Sequence, residues 1–173
     1  MKELKMKELN KKIIAWAKDR DLDKKGTVEG QSIKTAEEMA ELIKAISKRN
    51  IELIQDSIGD IHITLVIGNM IDKDFDMNIM YESNERKIKK LRGQNVFYNK
   101  EEQIRHIANK IVEIIKDKYE IQDIRGTQYL LMRLAEIYNL NFKDCVESAY
   151  GEIANRKGKT INGTFVKEED LHA

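Results

Sequence analysis

Proline is absent from this chain, and cysteine occurs once, at Cys145. The first absence removes the commonest helix breaker. The second excludes an intrachain disulfide and suits a reducing compartment. Charge of one sign is also missing: 31 basic and 30 acidic residues leave a net +1. No global field therefore draws the molecule to nucleic acid or to a membrane, and any basic patch has to be local. No apolar run reaches the roughly 18 residues of a membrane span. The opening MKELKMKELNKK has no apolar centre of the signal-peptide kind. The expected setting is cytoplasmic, with no membrane partner. What is present is a charged fraction of 35% with Lys, Glu, Ile and Leu prominent, a composition of good helix formers. At 173 residues the chain suits one domain, 1–173, with a core of its own.

Apolar spacing predicts a first helix over residues 2–20, with Leu4, Leu9, Ile13, Ile14 and Trp16 inward. DLDKKGTVEG reads as a loop. A second long helix spans about 31–48, its apolar arc being Ile33, Ala36, Met39, Ala40, Ile43 and Ile46. A third starts near Ile51 and is almost wholly apolar after Asp60, which marks it as central. Beyond Asn69 the character changes. MIDKDFDMNIMYESN reads as irregular and residues 86–92 as a basic, solvated run. KEEQIRHIANKIVEIIKDKY is amphipathic, with a stripe at Ile104, Ile107, Ile111, Ile114 and Ile115 suited to a subunit contact or a lid over the site. Helices follow over 127–138 and 142–156. The tail KTINGTFV carries Asn162-Gly163, a strong hairpin signal, between β-prone pieces. The expected class is an all-α helical bundle with a small C-terminal β-hairpin.

Chemistry concentrates in two acidic clusters. Glu37, Glu38 and Glu41 lie on the second long helix, and Glu38 and Glu41 share a side at i, i+3. Asp56 and Asp60 lie on the next helix, where Ile58, Ile61, Ile63, Leu65, Val66 and Ile67 surround Asp60. A carboxylate in such company is costly unless a cation or hydrogen-bond donors meet it. Several acids converging is how a protein holds a hard divalent metal. Taken alone, Glu37, Glu38 and Glu41 read first as a solvated helix face, and Asp56 reads equally as a surface residue; it is their company with Asp60 that favours the metal.

TAEEMAEL followed by DSIGDI resembles the signature of the all-α nucleoside triphosphate pyrophosphohydrolases, the MazG-like group, whose pattern is E-E-x-x-E on one helix and E-x-x-D on the next. Glu37, Glu38 and Glu41 match the first part and Asp60 the last acid of the second. NFKDCVESAYGEIANRKGKTINGTFVKEED is similar to the C-terminus of MazG-like proteins of phages and Gram-positive bacteria, with Asn155 and Lys157 on its N-x-K element, and AWAKDRDL is similar to the same subgroup. The chain departs from the pattern at Ser57, which stands where the family has Glu, and Asp56 falls one residue earlier. The likeness covers residues 10–67 and 130–170. The stretch 69–128 reads as an inserted helical subregion.

The resemblance implies a hydrolase that cleaves a (deoxy)nucleoside triphosphate to monophosphate and pyrophosphate with Mg²⁺, or Mn²⁺ in its place. Glu38, Glu41, Asp60 and Asp56 are the expected metal ligands, and Glu37 and Glu38 the catalytic pair that orients water or takes its proton. Lys34, Asn155, Arg156 and Lys157 are expected on phosphate oxygens, and Trp16 against a base. A homodimer or homotetramer is the expected assembly, and nucleic acid is not an expected partner. The alternative is a helical nucleotide-sensing or protein-interaction module with weak or no turnover. Plain readings stand beside these: Trp16 as core, Arg156 and Lys157 as charges at a helix C-terminus, His62 as a packed, hydrogen-bonded histidine, Cys145 as a small core residue. His106 and His172 carry no role.

Overall fold

The computed structural model describes residues 5–91, 99–114 and 119–171. Among them eight helices precede a two-stranded antiparallel hairpin. They are α1 (Met6–Lys18), α2 (Leu22–Lys25), α3 (Val28–Lys48), α4 (Ile51–Asp72), α5 (Met77–Leu91), α6 (Lys100–Ile114), α7 (Ile121–Ile137) and α8 (Phe142–Ile153). The strands are β1 (Gly158–Ile161) and β2 (Thr164–Lys167), followed by a 3-10 turn, Glu168–Asp170. The all-α bundle with a C-terminal hairpin is the observed architecture. No helix is long and apolar enough to cross a membrane among the described residues.

Side-chain caps start the main helices. Thr27 Oγ1 accepts from Gly30 N at 3.1 Å, Asn50 Oδ1 from Leu53 N at 3.1 Å, and Asn141 Oδ1 from Lys143 N at 2.9 Å. α3 and α4 form an antiparallel pair closed by Arg49 in the left-handed region, φ 54°. α4 is the axis of the bundle: Ile54, Ser57–Gly59 and the whole run 61–69 are buried, and α1, α2, α3, α7 and α8 pack around it. Gly59 permits the closest approach, because a Cβ there would stand 2.3 Å from the Cys145 carbonyl oxygen and 2.6 Å from Ala149 Cβ on α8. The hairpin turns at Asn162-Gly163, whose φ values of 49° and 83° are both positive, as a two-residue type I′ turn requires. Its tip is tied to the start of α3, with Thr27 N donating to Gly163 O at 3.0 Å.

Several elements differ from the sequence expectation. The stretch read as irregular is helical: α4 continues to Asp72, and α5 begins at Met77 after Asp76, whose Oδ1 accepts from Asn78 N at 2.8 Å. Met77, Met80, Asn84 and Ile88 form the buried face of α5, a helical period obscured because one of its positions is polar. α7 starts at Ile121 rather than 127, and the loop before α3 contains the single turn α2. On α3 the buried face is Gln31, Thr35, Met39, Leu42 and Ala45, and Ile33 is 70% exposed. The expected arc was rotated because Gln31 and Thr35, both polar, occupy the interior. The α6 stripe is used within the chain: Ile104, Ile107 and Ile111 are buried and α6 packs on α7, so those three side chains are not free for a subunit contact or a lid. Leu4, Ile115, Arg92 and His172 lie outside the described residues, as does the Ile114 side chain.

Candidate functional site

The groove between α3 and α4 opens into a cavity of about 360 Å³. α4 contributes Asp60, Ile63, Thr64 and Ile67, positions i, i+3, i+4 and i+7 of one helix face. α3 contributes Gln31, Lys34, Glu37 and Glu38. Trp16 and Leu22 come from the first two helices, Ile153 from the last position of α8, Arg156 from the segment that follows it, and Phe165 and Lys167 from β2. A wider, shallower cavity of about 600 Å³ adjoins it, lined by Glu152, Asn155, Lys157 and Glu168, with Arg156 and Lys167 common to both.

Of the sequence candidates, Trp16, Lys34, Glu37, Glu38, Asp60 and Arg156 share the first cavity, and Asn155 and Lys157 lie on the second. Glu41 and Asp56 line neither of these two cavities, but both act on the cluster electrostatically. Burial, reinforced by Glu38, Asp56 and Glu152, pushes the Asp60 carboxyl up to about 7, against the pull of Arg156. Burial with Glu152 and Glu41 raises Asp56, and one of its oxygens, Oδ1, is enclosed without a hydrogen-bond partner. Glu38 is raised by burial and by Glu41 and Glu37, while Lys34 pulls it down. Lys34 Nζ stands 2.6 Å from Glu37 Oε2 and 3.4 Å from Glu38 Oε1. The candidate phosphate ligand thus serves here as the counter-ion of the first acidic cluster.

Among the described residues no three His, Cys, Asp or Glu side chains form a preset metal-binding group. The expected ligands Glu38, Glu41, Asp56 and Asp60 therefore occupy one electrostatic neighbourhood without forming one coordination sphere. Ser57 is 4% exposed, one turn before Asp60 on the same helix, and brings no carboxylate to the cluster. Trp16 behaves chiefly as core. It is 7% exposed, its Nε1 donates to Ile153 O at 2.8 Å, Arg20 covers its ring at 4.3 Å and Phe165 meets it edge-on at 5.1 Å. Little of its face is left for a stacked base.

Sequence reasoning missed Gln31, Thr64, Phe165, Lys167, Glu152 and Arg20. The first two look like ordinary polar positions, and only the pairing of α3 with α4 joins them. Arg20 anchors the post-α8 segment: its Nε and Nη2 donate to Arg156 O at 3.1 and 2.6 Å and its Nη1 to Trp16 O at 3.0 Å. The plain readings of His62 and Cys145 hold. His62 is fully buried, its Nε2 lies 2.9 Å from Asn10 Oδ1, and burial lowers its pKa to about 4. Cys145 is 1% exposed, with its thiol raised to about 12 by burial.

Comparison with known proteins adds little to the geometry. No family model matches the chain, and no solved structure matches it. One curated protein of Haemophilus phage HP1, described as an uncharacterized 18.2 kDa protein in the rep-hol intergenic region, is 40% identical over 62 residues. That match spans 36% of this chain and 38% of the phage protein.

Proposed function

We propose that the chain is a nucleotide pyrophosphohydrolase of the MazG-like type, which cleaves a (deoxy)nucleoside triphosphate to the monophosphate and pyrophosphate with Mg²⁺. The observation that carries this reading is the cavity between α3 and α4. It combines carboxylates from two helices, Arg156 and Lys167 shared with the adjoining cavity, and apolar walls from Ile63, Ile67 and Phe165. A nucleoside triphosphate has that polarity: anionic at one end, flat and weakly polar at the other.

The donors suit a hard cation in kind, since they are all carboxylate oxygens, Asp56 Oδ1 has no partner, and burial together with Glu38, Asp56 and Glu152 raises Asp60. Glu38, Asp60, Asp56 and Glu41 would hold the ion once their carboxylates, not preset as one coordination sphere, draw together around it, with Glu152 beside them. Bound there, it would neutralise phosphate charge and polarise the bond to be cleaved. In this reading Arg156 and Lys167 neutralise the phosphate oxygens, and Lys157 and Asn155 receive the departing pyrophosphate in the adjoining cavity. Water attacks the α-phosphorus, the bond to the bridging oxygen breaks, and that oxygen leaves with the pyrophosphate. The water's proton passes to a carboxylate. Glu37, which is not among the residues that would hold the ion, suits that role or orients the water together with Glu38. A homodimer or homotetramer in a cytoplasmic setting belongs to the same proposal.

The test is pyrophosphate release by the full chain from each common nucleotide and dUTP, with Mg²⁺. Glu38→Gln is expected to lower kcat by about 100-fold or more. No product from any nucleotide, or an unchanged rate in the variant, removes the proposal.

A second reading, a nucleotide-sensing module without turnover, is favoured by the Lys34 pair with Glu37 and Glu38, which satisfies these acids without a metal. Calorimetry separates the two: nucleotide binding with no product supports sensing, and binding with product supports catalysis.

A further inference from the structure

Gln31 is 4% exposed yet lines the cavity, at the opposite end of the α3 face from Glu38. Seven residues of helix separate them, about 10 Å along the axis. Its Nε2 donates to the Thr64 carbonyl oxygen at 3.2 Å. That bond settles the amide's orientation, because a carbonyl oxygen only accepts. One N–H and the carbonyl Oε1 are left with no bond to another described residue. Oε1 is also absent from the sealed polar atoms without a partner, so it keeps access to the cavity. Thr64, the other polar group here, spends its proton on Ile61 O at 2.8 Å and can only accept. Trp16 offers nothing more, its single donor being held by Ile153 O. Around this pair stand Ile63, Ile67 and Phe165.

We infer that Gln31 is the residue that reads the nucleobase, its oriented amide bonding the base edge at the apolar end while the triphosphate lies toward Glu38 and Asp60. This rests on the nucleotide reading above. An amide in apolar surroundings loses water on binding, so a base edge that leaves its donor or acceptor unmet is penalised. An amide that offers a donor beside an acceptor suits an edge with the complementary pair, as glutamine shows on adenine in nucleic-acid grooves. Thr64 adds one acceptor and so favours an edge with a further N–H.

The experiment compares dATP, dGTP, dCTP and dUTP as substrates of the full-length wild type and of Gln31→Met, an apolar side chain of similar length. The ratio of the best to the worst kcat/KM is expected to shrink by about tenfold in the variant, with the loss carried by KM. An equal ratio in both proteins, or a wild type without base preference, overturns the inference. Should nucleotides bind without turnover, the same ratio read from Kd decides it. Should none bind, the nucleotide reading itself falls, and the inference with it. A second measurement needs no variant: the preferred nucleotide against its analogue in which the exocyclic edge group is replaced by hydrogen. Weaker wild-type binding of the analogue, by about tenfold, supports Gln31 as reader, and equal binding overturns it.

Discussion

Asp60 is the residue on which charge, burial and position meet. Its carboxyl keeps its proton to about 7 in the folded chain, whereas its ordinary value is 3.8. Between those values the native state binds more protons than the unfolded state, so this group's contribution to stability falls as pH rises through the window. Asp60→Asn removes the ionisation. The melting temperature of the variant minus that of the wild type is therefore expected to be smallest near pH 4, to grow through the window and to level off above about 7, as read in a pH series of thermal melts. His62 works in the opposite sense, since burial lowers it to about 4 and stability is lost as pH falls from its ordinary 6.5 toward that value. It is common to both proteins and cancels in the difference. A flat difference would show that Asp60 ionises as freely as in water. The sequence identified Asp60, Glu38 and Arg156 by residue type and neighbours. It missed Gln31 because an isolated glutamine carries no signal until a partner is known.

α4 shows how an element can be read well in outline and poorly in detail. Its apolar run marks it as central, and it is central. Nothing in the run states that Gly59 faces α8, since a glycine in a helix gives no face preference. The structure supplies the reason: a Cβ at that point would meet Cys145 O and Ala149 Cβ at 2.3 and 2.6 Å. Gly59→Ala is accordingly expected to destabilise the fold by about 1–3 kcal/mol, seen as a lower urea midpoint at constant m. An unchanged midpoint would show that α4 and α8 do not approach so closely. The same approach brings Glu152 and Arg156 near Asp60, so packing and site electrostatics change together. α3 illustrates the converse error. Its apolar residues occupy two faces, and the buried one carries Gln31 and Thr35, whose side chains reach the Thr64 carbonyl oxygen and the Tyr119 hydroxyl. Thr35 Oγ1 lies 2.7 Å from Tyr119 Oη, and the Tyr119 ring packs on Gly68.

At the level of the whole molecule, one buried cluster runs from Met6 to Ile153 and includes Met77, Met80 and Ile88 of α5 and Ile104, Ile107 and Ile111 of α6. The helices of the stretch 69–128 contribute to the same core as the rest. Unfolding is therefore expected to be a single transition, with Trp16 fluorescence and far-ultraviolet circular dichroism giving coincident curves. Separate midpoints would show that α5 and α6 melt independently. Trp16 suits the purpose as the chain's only tryptophan, buried and hydrogen-bonded between α1 and the end of α8.

Periodicity and composition alone determined the helical class, the central rank of α4 and the Asn162-Gly163 turn, because each is a local preference summed over neighbouring residues. The positions of the acids along their helices were legible for the same reason. Only the tertiary structure decided which of those acids share a cavity and that Gln31 turns inward. These depend on contacts between residues tens of positions apart, where helix rotation and close approach set the outcome, and no local pattern encodes them.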